Sequence, residues 1–320
     1  MRKLLTITAN TFTETLRQPV YAVIVVTALV LFFVIPSITM YSLDDDNKFL
    51  REIGLSTLFL ASLFVSIFAA SSAVAEEIDN KTITTVLTKP VPRPIFILAK
   101  FLGVALAVAL AHYLCTIAYL MAVRHGVLES VNDTHDWSVI VTAAAVIGLA
   151  MLLTAFFNYF YDWKFSSTGI VTTALFATVG IIFLAFFDRN WRFNPAANSI
   201  HLMDIYASVL LFLGALVIVA LAVALSSRFN VVVTLTGCTG LFMVGLVSDY
   251  AFGRFADTSL WARIAYHILP NLQIFWVSDA IYETGTVPGK YVLIAAVYAL
   301  CYMAAILSFA VALFQPRQVG

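Results

Sequence analysis

The sequence predicts an all-α protein, a polytopic transmembrane helical bundle of about eight spans. Composition is the first observation behind this. Of 320 residues, 62% are hydrophobic and 11% charged, against roughly 45–50% and about 25% in a soluble domain. The second is a mean hydropathy of +0.95. The third is the length of the apolar runs, at about 20–41, 55–75, 95–123, 138–160, 167–187, 207–226, 230–250 and 291–314. Each reaches the ~20 residues a helix needs to cross a bilayer. A single transmembrane domain over 1–320 is the simplest division.

Taken in order, residues 2–18 place Leu5, Ala9, Phe12 and Leu16 on one helical face. Arg2, Lys3, Thr6, Asn10, Thr13, Glu14 and Arg17 lie on the other. That pattern predicts an interfacial helix on the cytoplasmic surface, joined at Pro19 to the first span. No short apolar core with a small-residue cleavage site precedes it, so no cleavable signal peptide is expected. With the N-terminus inside, the inner segments hold ten of the 18 Lys and Arg residues. The bias is strongest near span ends, where the positive-inside rule counts. It puts both termini in the cytoplasm.

Between the second and third spans runs the polar stretch 76–94, EEIDNKTITTVLTKPVPRP. Ile83, Val86 and Leu87 fall at i, i+3 and i+4, one face of a short helix. Glu76, Glu77 and Asp79 suit its N-terminal dipole, and Pro90, Pro92 and Pro94 stop its continuation. A short amphipathic helix on a cytoplasmic loop is shaped to dock into a groove of another protein.

Glu77, Thr82, Ile83, Leu87, Lys89, Pro90, Val91 and Arg93, followed by Lys100, Phe101, Leu102 and Gly103, resemble the signature of type-2 ABC exporter permeases. Lys81 and Ala99 stand where that family often has glycine. The N-terminal Asn10, Thr11, Phe12, Glu14 and Arg17 resemble its opening stretch. The resemblance implies that 76–94 is the coupling helix, contacting a separate ATP-binding subunit through Glu77, Thr82, Ile83, Val86, Leu87, Lys89, Pro90 and Arg93. It also implies a second permease copy or homologue, surrounding membrane lipids and the bacterial cytoplasmic (inner) membrane. One branch it resembles is associated with maturation of multicopper enzymes. The family norm is six spans, so the pair 138–187 reads as an insertion after the third. Residues 251–290 resemble the family's short outer helices. There Leu260, Trp261, Ile264, Ala265 and Ile268 keep a helical period that Pro270 and Asn271 break.

The chemistry of other classes is missing. Around Gly285, Gly289 and Lys290 the glycine spacing is one residue short of a phosphate loop, and Tyr291 replaces the magnesium-binding Ser or Thr. ATP and magnesium are therefore expected on the partner, with no cofactor, metal or catalytic residue on this chain. His112, His125, His135, His201 and His267 are scattered, without metal-ligand spacing. The zero formal net charge offers no field for nucleic acid. Cys115, Cys238 and Cys301 lie in apolar runs and read as core packing. His112 is the one ionisable group well inside a span, which argues against an ion-coupled transporter; it reads as hydrogen-bonded within the bundle. The expected function is a permease subunit that forms a translocation pathway as a dimer. The alternative is a membrane assembly or scaffold protein that recruits cytoplasmic partners without transport.

Overall fold

Uninterrupted apolar sequence gives long helices, and the computed structural model describes them over residues 1–38, 46–73, 92–128, 134–195, 201–277 and 287–314. They are α1 (Arg2–Arg17), α2 (Pro19–Ile38), α3 (Asp46–Ser71), α4 (Arg93–His125), α5 (Trp137–Tyr161), α6 (Phe165–Phe186) and α7 (Leu202–Ser226). After these come α8 (Val231–Leu246), α9 (Ser248–Ala251), α10 (Leu260–Ile268) and α11 (Gly289–Phe314). No strand occurs among the described residues beyond an isolated Phe187–Phe193 bridge. The protein is therefore an all-α polytopic bundle.

Seven helices, α2 to α7 and α11, are long and apolar enough to cross a membrane. The eighth expected span is broken. Helix α8 has 16 residues, about 24 Å at 1.5 Å per residue. The chain then bends by 67° into Ser248–Phe255. Just before the break, a Cβ at Gly245 would stand 2.8 Å from the Pro270 carbonyl oxygen. The segment after α10 therefore packs closely against the end of α8.

By their contacts the residues form two compact units: Met1–Thr15, Leu63–Val108 and Val209–Gly320 in the first, Leu16–Ser62 and Ala109–Ser208 in the second. In the first unit the core is α7, whose Ala215, Val217, Ile218, Val219, Ala220, Ala222 and Val223 are all buried. Residues 251–277 form the expected short helices. Helix α10 has no buried residue, whereas Leu272 and Phe275 in the turn after it are fully buried. Phe275 rests 3.3 Å from the position a Cβ would take at Gly214. Helix α11 fixes this segment by its tyrosines. The Tyr302 hydroxyl donates to the Ile268 carbonyl at 2.6 Å, Tyr291 to the Ile274 carbonyl at 2.8 Å, and Tyr298 accepts from the Asn271 N–H at 3.0 Å.

In the second unit α5 and α6 form a tight hairpin. Asp162 ends α5 in the left-handed region at φ 55°, a conformation Asp tolerates better than most residues. Small and hydroxylated residues let the two backbones approach, as expected for helices in lipid. Thr142, Val146, Ala150 and Thr154 recur every fourth residue on α5 and are buried. Thr154 and Thr172 pair at 2.8 Å between hydroxyls, and a Cβ at Gly180 would meet Val146 at 2.9 Å.

His112 sits in a buried polar knot of this unit. Ser62 Oγ lies 2.7 Å from its Nδ1, the Ser208 carbonyl and hydroxyl lie 3.0 Å from its Nε2, and Thr116 and Ser208 pair at 2.7 Å. The imidazole is hydrogen-bonded within the bundle, as its isolation in the sequence suggested. One sequence expectation needs correction. Cys115 and Cys238 are buried, but Cys301 is exposed on α11. In α1, Leu5 and Ala9 of the expected membrane-facing side are exposed, while Thr8, Thr11, Thr15 and Leu16 are buried. Threonine faces the protein because α4 comes too close for larger side chains.

Candidate functional site

Of the residues expected to contact an ATP-binding partner, Glu77, Thr82, Ile83, Val86, Leu87, Lys89 and Pro90 lie outside the described residues. Arg93 is described and opens α4, followed by Pro94 at a position where the missing N–H costs nothing. What the structure supplies is the root of that stretch. From the first turn of α4 onward Phe96, Ile97, Ala99, Lys100, Phe101 and Val104 are buried. The Lys100 ammonium stands 5.8 Å from the Phe96 ring centroid, within cation–π range. Helix α1 seats directly on this segment. Thr8 donates to the Ala99 carbonyl at 3.3 Å. A Cβ at Gly103 would lie 2.6 Å from Thr11 Cβ and 2.8 Å from the Thr8 carbonyl oxygen. Ala99 and the motif's Gly103 thus hold α4 against the N-terminal helix.

A second constellation was not legible as one in the sequence. It lies in the second unit, where α3, α5 and α7 begin and α4 and α6 end. The Asp136 carboxylate has 0% side-chain exposure, and Arg124 Nε and Arg189 Nε both approach it at 3.5 Å. Asp136 also caps α5, accepting from the Ser138 and Val139 N–H groups. The two arginines cap other helices. Arg124 donates to the Leu184 and Phe187 carbonyls at the end of α6. Arg189 donates to the Arg124 and His125 carbonyls at the end of α4, at 3.5 and 3.3 Å. Helix ends leave carbonyls unpaired, and here each arginine serves the end of the other's neighbouring helix. One carboxylate thereby clasps three helix termini.

Beside it, Asp204 of α7 accepts from the buried Tyr119 hydroxyl at 2.8 Å and pairs with Arg51 of α3 at 3.5 Å. A Cβ at Gly54 would lie 2.7 Å from the Tyr119 ring, so glycine there makes room for the phenol to reach its partner. The apolar windows of the sequence began only at 55 and 207, past Arg51 and past Asp204. The helices run on through both, because each charge has a partner. One signal could have found the cluster. Arg51, Arg124, Asp136, Arg189 and Asp204 all flank span ends that the expected topology assigns to one membrane face.

These features define a class, a multi-pass helical membrane protein with a tightly packed helix root beside its longest polar loop. Comparison with known families makes it specific. The profile of the ABC-2 family transporter proteins matches residues 49–235, more than half of the chain, and the chain belongs to that family. It is a membrane permease of the ABC transporter type. The match takes in all of 76–94, and it runs through α5 and α6, the pair that read as an insertion. No curated protein matches the chain.

Proposed function

We propose that this chain is the permease subunit of an ATP-driven exporter, that two copies or a copy and a homologue form the pathway, and that ATP is hydrolysed on a separate subunit. That subunit grips 76–94, with Ile83, Val86 and Leu87 buried in its groove, Glu77 and Arg93 making polar contacts at its rim, and Thr82, Lys89 and Pro90 also in the coupling stretch. Both termini lie in the cytoplasm and the membrane is the bacterial inner membrane. The observation that carries this reading is the family match over 49–235, since the family works with an ATP-binding partner. The packing of α1 on α4 supports it. A push on 76–94 enters a helix whose first turns are buried, so it moves α4 as a body. The test is affinity purification of the full chain from its own membranes in mild detergent, with the co-purifying soluble proteins identified. An ABC-type ATP-binding subunit in stoichiometric amount is expected. Co-purification of other cytoplasmic proteins with no nucleotide-dependent activity would favour the scaffold role instead.

A further inference from the structure

Two cavities of the second unit are lined by the charged cluster, and a third lies next to one of them. Two are polar, each of about 440 Å³, and share Arg51, Arg124 and Arg189 on their walls. The third is apolar, about 250 Å³, lined by Phe32, Leu114, Met121, Val139 and Ala143 among others. His125 lines both the second polar cavity and the apolar one.

The second cavity has Arg51, Arg124 and Arg189 on its walls and no acidic residue among the described residues. Asp136 and Asp204 have side chains 0% and 2% exposed and are engaged by arginine. Asp188, on the first cavity, spends its Oδ1 on the Asn190 and Arg192 N–H groups. The cations are less hidden, with Arg189 59% and Arg51 26% exposed. Arg51 is also the least satisfied of them. Its Nε is buried without a hydrogen-bond partner among the described residues, and its one ion pair among them, to Asp204, is 3.5 Å long. A guanidinium with unused donors is a fork for carboxylate or phosphate. The apolar cavity is small beside the roughly 300–1,000 Å³ of drug-sized ligand pockets, which suits one alkyl chain.

We propose that these cavities bind a single-chain amphiphile with an anionic headgroup, a carboxylate or a phosphate, its head at Arg51 and Arg189 and its tail among α2, α4, α5 and α6. The site goes beyond the transport reading and does not depend on it. Equilibrium binding to the full chain in nanodiscs of zwitterionic lipid tests it, with dodecanoate and dodecyl phosphate as probes and dodecanol and inorganic phosphate as controls. At least one anionic probe binds saturably, and tighter binding of one assigns the headgroup. Dodecanol and inorganic phosphate bind at least about tenfold more weakly, since a hydrogen bond to a charged group is worth roughly 1.5–3 kcal/mol. The double variant Arg51→Gln/Asp204→Asn, which exchanges the ion pair for neutral amides, lowers anion affinity about tenfold or more. Ala143→Phe, on a different wall, lowers it by filling the tail cavity. Equal binding of dodecanol and the anionic probes, or wild-type affinity in both variants, overturns the proposal. No ATPase subunit is present in this assay, so either result leaves the transport reading standing.

Discussion

Single residues decide how closely these helices approach, and glycine shows it best. Gly103 and Gly148 are both helical, yet their surroundings are opposite. A Cβ at Gly103 meets Thr11 and the Thr8 backbone below 3.0 Å, whereas one at Gly148 meets nothing within 4 Å. Gly103→Ala must push α1 off α4, and overpacking of this kind costs about 1–3 kcal/mol. Gly148→Ala adds helix propensity, up to ~1 kcal/mol. In detergent, thermal unfolding followed by tryptophan fluorescence is expected at lower temperature for Gly103→Ala and at an unchanged or higher one for Gly148→Ala. Equal shifts would contradict the packing of α1. The existence of α1 was legible from its 16 helical residues, but its packing face was not. Periodicity sorts apolar from polar, and a threonine face that touches backbone scores as polar.

At the scale of elements, the α5–α6 hairpin is closed by its Asp162 turn at one end and clasped through Asp136 at the other. Its two helices were legible because each is a full apolar run with polar residues between. The clasp was not, since Asp136 and its arginines are 12 and 53 residues apart in sequence and hydropathy treats each as a mere span boundary. Breaking a buried ion pair from one side strands the other charges and costs roughly 3–5 kcal/mol. Arg189 is more than half exposed, and exposed pairs are worth about 0–1 kcal/mol. Asp136→Asn is therefore expected to lower thermal stability several times more than Arg189→Gln, measured on matched preparations in one detergent. If Arg189→Gln costs as much or more, the carboxylate is not the centre of the clasp.

For the whole molecule, the sequence runs made the fold class plain, and seven of the eight expected spans are single helices. The eighth is broken, and beside the break a distant segment, Pro270 to Leu272, packs on Gly245, a tertiary contact that no local window contains. The central claim concerns 76–94, whose proposed role rests on the expected apolar stripe of Ile83, Val86 and Leu87. Burying each is worth roughly 1.5–3 kcal/mol. Exchanging Ile83 and Leu87 together for Asp should lower affinity for the ATP-binding subunit on the order of a hundredfold or more. The spans are untouched, so membrane expression should stay normal. The most direct measurement is the amount of ATP-binding subunit retained on the purified Ile83→Asp/Leu87→Asp variant, normalised to the permease recovered. Near-complete loss of the subunit with normal permease yield is the predicted result, and full retention would contradict the account.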